Sequence, residues 1–165
     1  GRRAKARAGR VLHMDASSTG YFEREHRRME AQLHAHLLHV VGADFERART
    51  ALQRWRRALA RHIDIENHRL LPHLPEGARW PARLYLLEHE RITLLADEYA
   101  ERLDALLARP PRSQRARRQA VLALLDAAHA LRHLIEHHHQ REEMALAHEL
   151  PLAVQQAAWE TGHGA

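Results

Sequence analysis

The chain has no cysteine, which excludes disulfides, thiolate zinc sites and cysteine nucleophiles together. Valine, isoleucine and threonine number only 5, 4 and 4 against 25 leucines. Residues that build a sheet core are therefore scarce, and the chain reads as all-α. No apolar run approaches the ~20 residues of a membrane span, and no apolar leader opens the sequence. A cytoplasmic protein without membrane contact is the expectation. A length of 165 residues suits one core rather than two, which excludes a multidomain enzyme.

The net charge of +5 is local in origin. Arg2, Arg3, Lys5, Arg7 and Arg10 fall in the first ten residues with no acid among them, and the remainder balances at 21 basic against 21 acidic groups. Residues 1–11 read as a solvated basic tail, without the interleaved aromatics that stack on nucleic-acid bases. The five arginines between positions 109 and 118 read as a flexible solvated loop. What is abundant is histidine, 16 in all, far more than a helical core needs.

Apolar residues recur at steps of three and four, the spacing of an amphipathic helix. Ser17, Ser18 and Thr19 offer N-caps ahead of Phe22, Met29, Leu33, Leu37 and Val40, and Gly42 stops this first helix. Asp44 caps a second, carrying Leu52, Trp55, Leu59, Ile63 and Leu70, which Pro72, Pro75 and Gly77 end. Pro81 fits the first turn of a third, with Leu86, Leu95, Tyr99, Leu103 and Leu106, broken by Pro110 and Pro111. A fourth begins near Ser113 or a few residues later, carries Leu124, Leu131, Leu134, Ile135 and Ala145, and stops at Pro151. The short first connection makes neighbours antiparallel, so the expected fold is an up-down-up-down antiparallel four-helix bundle over residues 12–152. Residues 153–165 read as a C-terminal tail with room for a helical turn around Trp159.

Each helical hairpin carries a lone histidine on its first helix and an H-x-x-x-E on its second: His26 with His62 and Glu66, then His89 with His138 and Glu142. Residues i and i+4 share a helix face, and these faces continue the apolar stripes. Four histidines and two glutamates thus occupy core positions, where an unpaired carboxylate is costly and a metal is the natural partner. Heights agree in the first hairpin, with His26 17 residues before Ala43 and His62 19 after it. In the second, His89 is 22 residues before Pro111 and His138 27 after it, an offset that vanishes if residues 112–118 belong partly to the loop. The rival pair, His133 and His137, is better levelled but points with Arg141 off the apolar stripe. His36 faces the core away from the site level and is a candidate for supporting a ligand. His34, His39, His68, His73, His129, His137, His139, His148 and His163 read as surface or rim residues.

Six such donors exceed one tetrahedral site and suit two ions bridged by Glu66 and Glu142; imidazole and carboxylate without sulfur allow iron, manganese, zinc or cobalt. Ferritin-like bundles use E-x-x-H instead, which disfavours that class. The order H, H-x-x-x-E, H, H-x-x-x-E resembles the hemerythrin-like, or HHE cation-binding, domain family. The resemblance is carried by Leu12-His13-Met14-Asp15 with Tyr21-Phe22, by Glu25-His26-Arg27-Arg28-Met29-Glu30, by His62-Ile63-Asp64-Ile65-Glu66-Asn67 with Leu70-Leu71-Pro72, and by His138 to Leu146 with Glu142-Glu143. It implies a carboxylate-bridged centre of two iron ions, with zinc or manganese as alternatives, on His26, His62, Glu66, His89, His138 and Glu142, and binding of O2 or nitric oxide as carrier, store or sensor, or iron handling. Asn67 departs from the family's usual second acid, which Glu143 keeps. A di-iron peroxidase, oxidase or nitric-oxide-handling enzyme, and a metal-stabilised structural bundle, are the alternative functions.

Overall fold

A computed structural model of the chain describes residues 20–162. The basic stretch 1–11, the motif at 12–15, the capping candidates Ser17, Ser18 and Thr19, and His163 lie outside the described residues. Those described are helical almost throughout, with no strand among them. None of the helices is long and apolar enough to cross a membrane.

Helix α1 (Gly20–Val41) buries Phe22, His26, Met29, Leu33, His36, Leu37 and Val40, one face of a regular helix. It ends in a turn in which the Ala43 N–H donates to Val40 O and the Asp44 N–H donates to His39 O. The left-handed residue there is Ala43, at φ 53°, one position after the expected stop at Gly42. Asp44 then caps α2 (Phe45–Ile65), its carboxylate accepting the Arg47 N–H at 3.1 Å. The chain continues through a π-helical segment, Glu66–Leu70, and a 3-10 turn, Leu71–His73. Pro81 precedes α3 (Ala82–Ala108) as its cap residue. Ser113 caps α4 (Gln114–Arg141), accepting the Ala116 N–H at 3.1 Å. A second π-helical segment, Glu142–Leu146, leads to the short α5 (Ala147–Glu149) and then α6 (Leu152–Gly162).

The long helices form a bundle. His26 reaches His62 and His36 reaches Ala48, so α1 and α2 run in opposite directions. Arg49 pairs with Asp104, Arg56 with Asp97, and Glu66 with His89, which sets α3 opposite to α2. Two apolar clusters fill the interior. The larger lies among the four long helices and includes Met29, Leu33, Leu59, Ile92 and Ile135; the smaller closes one end with Phe22, Ile65, Leu70, Tyr85, Leu146 and Trp159.

Three expectations need correction. Residues 115, 117 and 118 lie in α4 rather than a loop, because Ser113 caps the helix and arginine is a good helix former. His89 and His138 meet nonetheless, ring centres 4.8 Å apart. A five-residue loop can span ~16 Å, more than the ~5.4 Å of one helical turn, so the helix ends need not be level. Leu86 is exposed and Tyr85 takes the core position, continuing the stripe of His89 and Ile92. The segment read as a tail is helix α6, held by burial of Ala158 and Trp159 and by Gln155, whose amide donates to Ala147 O at 2.8 Å and Leu150 O at 3.0 Å.

Candidate metal centre

Every long helix interrupts its apolar stripe with polar residues, and the interruptions share one level. His26 lies between Phe22 and Met29, His62 between Leu59 and Ile65, His89 between Tyr85 and Ile92, and His138 and His139 between Ile135 and Leu146; on each helix one flanking residue belongs to each apolar cluster. His26, His62, Glu66, His89, His138 and Glu142 are brought together there, none more than 3% exposed. Both π-helical segments begin on the glutamates of this group, Glu66 and Glu142, and such local widening of a helix is frequent at functional sites.

The two glutamates cross the space between the histidines. Glu142 Oε1 lies 3.1 Å from His26 Nε2, 3.2 Å from His138 Nε2 and 4.0 Å from His62 Nε2, and its Oε2 lies 3.9 Å from His89 Nε2. Glu66 touches His62 Nε2 through Oε1 and His89 Nε2 through Oε2, the latter at 2.9 Å. Four Nε2 atoms therefore point at two carboxylates.

The opposite ring nitrogens are held from outside. His26 Nδ1–H donates to Glu143 Oε1 at 3.1 Å, His89 Nδ1–H to Asn67 Oδ1 at 2.6 Å, and His138 Nδ1–H to Glu88 Oε2 at 3.1 Å. With Nδ1–H engaged, the proton such a histidine gives up to a metal is the one on Nε2, and the neutral ring left behind is the tautomer a metal requires. Asn67 fills the role in one half that Glu143 fills in the other: each follows a central glutamate, and each steadies a histidine of another helix. Glu88 is itself gripped by Arg141 at 2.7 Å, and the Arg141 guanidinium lies 4.6 Å over the Trp80 ring. His62 instead stacks on Trp159, ring centres 4.9 Å apart and planes at 25°.

Sequence reasoning missed His139. Expected at the rim, it is 5% exposed and packs with His26, His62 and His138. The signal was present, since Leu131, Ile135, His139, Glu142 and Leu146 continue one stripe in steps of three and four. His26, His62, His139 and Glu142 form one group whose donor atoms lie within 4.8 Å of one another, and Glu66, His89, His138 and Glu142 form a second. Glu142 is common to both.

Charge in the site follows from burial and pairing. Burial opposes protonation of His62 and His138, but Glu66 and Glu142 outweigh it and push both imidazoles up to about 10. His26 and His89 are raised in the same way against their burial, by Glu142 with Glu143 and by Glu142 with Glu66. Burial disfavours the Glu142 anion, yet His138 and its other hydrogen-bonding neighbours hold it well below the ordinary carboxylate range. His139 has no such help: burial, reinforced by His26, pushes it down to about 2.

The donors fit a metal. His62 Nδ1, His139 Nδ1 and Glu142 Oε2 are buried without a hydrogen-bond partner, and buried groups left so are costly unless something ligates them. Imidazole and carboxylate together suit borderline first-row cations. The buried His/Glu groups could thus hold a metal ion.

The other histidines fall elsewhere. His34, His68, His73, His129, His133, His137 and His148 are exposed, and His39 is half-buried. His36 supports no site residue: its Nδ1–H donates to Ala48 O and its Nε2 accepts the Tyr99 hydroxyl, each at 2.6 Å. Burial lowers its pKa and keeps it a neutral core residue.

Comparison with protein-family profiles, curated proteins and solved structures finds no match. Fold and site by themselves define a helical bundle with a buried histidine–glutamate centre able to take metal.

Proposed function

We propose that the chain is a hemerythrin-like protein: an up-down-up-down four-helix bundle whose buried centre holds two iron ions and binds O2 or nitric oxide, as carrier, store or sensor. The single observation behind this reading is the pair of overlapping donor groups that share Glu142. Two adjoining groups of three imidazoles with one carboxylate and two imidazoles with two carboxylates suit two ions better than one. Ferrous ions held there would supply reversible binding of a diatomic ligand.

The chain's own residues do the rest. Glu143, Asn67 and Glu88 fix the ring orientations of His26, His89 and His138, so the donors are set before an ion arrives. Phe22, Tyr85, Leu146 and Trp159 seal the site from one end, and Met29, Leu59, Ile92 and Ile135 from the other. Small apolar gases cross such walls more readily than ions do. A cytoplasmic setting belongs to the same proposal.

Anaerobic reconstitution with ferrous iron, followed by O2, tests it. The expected outcome is near two equivalents of iron by elemental analysis and an oxygenated spectrum that reverses on degassing. Continuous turnover of peroxide would replace the carrier with an enzyme; no spectral change would leave a structural metal site. One equivalent of iron would sink the two-ion centre.

A further inference from the structure

The buried centre uses one side of α4, and a second row of histidines runs along another. His129, His133 and His137 recur every four residues and are all exposed. Among the described residues none of the three makes a hydrogen bond or an ion pair. Their neighbours are each other: His133 and His137 have ring centres 4.5 Å apart with planes at 82°, and His129 and His133 have centres 6.4 Å apart.

Two imidazoles one turn apart on a helix lie side by side and form a preset chelate. An ion bonded at ~2.1 Å to one nitrogen of each ring, with the bonds near a right angle, sets the ring centres about 4.5 Å apart. That is the separation between His133 and His137. Both residues stand in the uninterrupted helix Gln114–Arg141, so ligation needs only side-chain rotation. His129 extends the row and offers His133 an alternative partner.

We infer that His133 and His137 form a second, surface metal site, for a late first-row divalent ion such as Cu2+, Ni2+ or Zn2+, separate from the buried centre. Imidazole donors without carboxylates favour these ions over Mg2+, Ca2+ or Mn2+, with Cu2+ held most tightly. Water fills the remaining positions, so the ion exchanges freely. Because His137 is followed in the chain by His138, an ion here rests on the outside of the helix that lines the buried centre.

Calorimetric titration of the full chain with Ni2+, at about pH 7.5 where free imidazole is neutral, tests the site. An exchangeable class of binding is expected, weakened roughly tenfold or more in His133→Gln, where no pair one turn apart is left, and less in His137→Gln, where His129 can take its place beside His133. His68→Gln, an exposed histidine on α2's continuation, should leave it unchanged. A second readout is the Cu2+ electron paramagnetic resonance spectrum, in which coupling to two imidazole nitrogens should fall to one in His133→Gln. Unchanged Ni2+ affinity in the His133→Gln/His137→Gln protein, with its helix signal intact, overturns the inference. So does an equal weakening in His68→Gln.

Discussion

The ring of His139 lies flat on the ring of His26, centres 3.6 Å apart and planes 5° from parallel. One ring is kept neutral by burial while the other is biased towards its charged form by Glu142 and Glu143. His139→Phe retains a flat ring for that stack and removes the nitrogen donor. If His139 ligates, metal retained after dialysis falls by about one ion per chain, with affinity at that position down roughly tenfold. Unchanged metal content would make His139 a stacking partner only.

The two glutamates are unequal. Glu142 belongs to both donor groups and Glu66 to one. Glu142→Gln is expected to abolish retention of both ions, and Glu66→Gln to weaken one more than the other. Elemental analysis of the two variants side by side decides it, and equal losses would make the pair equivalent bridges.

Acid and alkali should both destabilise the metal-free protein. His62 and His138, pushed to about 10, stand above their unfolded value of 6.5. Their stabilisation is fully present below pH 6.5 and is lost as pH rises through about 10. His139, pushed down to about 2 from 6.5, acts oppositely: its stabilisation holds above pH 6.5 and is lost as pH falls towards about 2. Glu142, held low, adds to the acid loss. Melting temperature in chelator should therefore peak near the 6.5 where the two limbs meet, and His139→Phe should flatten the acid limb. A monotonic profile would contradict this assignment of charges.

Metal binding inherits the same protons. An ion takes the Nε2 lone pairs, so His62 and His138 must release protons that they hold up to about 10. Affinity should keep rising with pH beyond the ~6.5 of a free imidazole. Titrations in buffers of different ionisation enthalpy should count more than one proton released per chain near neutral pH. No release would mean the imidazoles are already neutral.

The turn after α1 offers a stability test far from the site. Ala43 holds φ 53°, which costs a residue with a side chain roughly 1 kcal/mol or more relative to glycine. Ala43→Gly should stabilise by about 0.5–1 kcal/mol, part of the gain being offset by the entropy of an added glycine. Gly42→Ala should be tolerated, since a Cβ there meets only ordinary contacts at 3.6 Å. Thermal unfolding of the two variants ranks them, and a lower melting temperature for Ala43→Gly would refute the account.

Helical periodicity was legible because it is local: Phe22, Met29, Leu33 and Val40, or Leu52, Trp55 and Leu59, declare their buried face by spacing alone. So were the turns at Asp44 and Ser113, where a side-chain oxygen caps the following helix. The H-x-x-x-E pairs could be assigned to one face for the same reason, and the side chains of His26, His62, Glu66, His89, His138 and Glu142 do meet.

What the chain's local pattern could not decide was relative placement. Whether His138 or His133 meets His89 depends on how far α4 slides along α3, and that is set by an extended loop and by side-chain packing across the bundle, neither of which has a period. His139 had a legible stripe but also two histidine neighbours, and only burial against His26 separates it from the exposed His137. Trp159 sits on His62 only because α6 folds back over the end of the bundle. Composition and spacing determined the helices, their inward faces and the donor types; contacts between distant segments determined which of the many histidines share a centre, because proximity across helices is a property of the assembled fold.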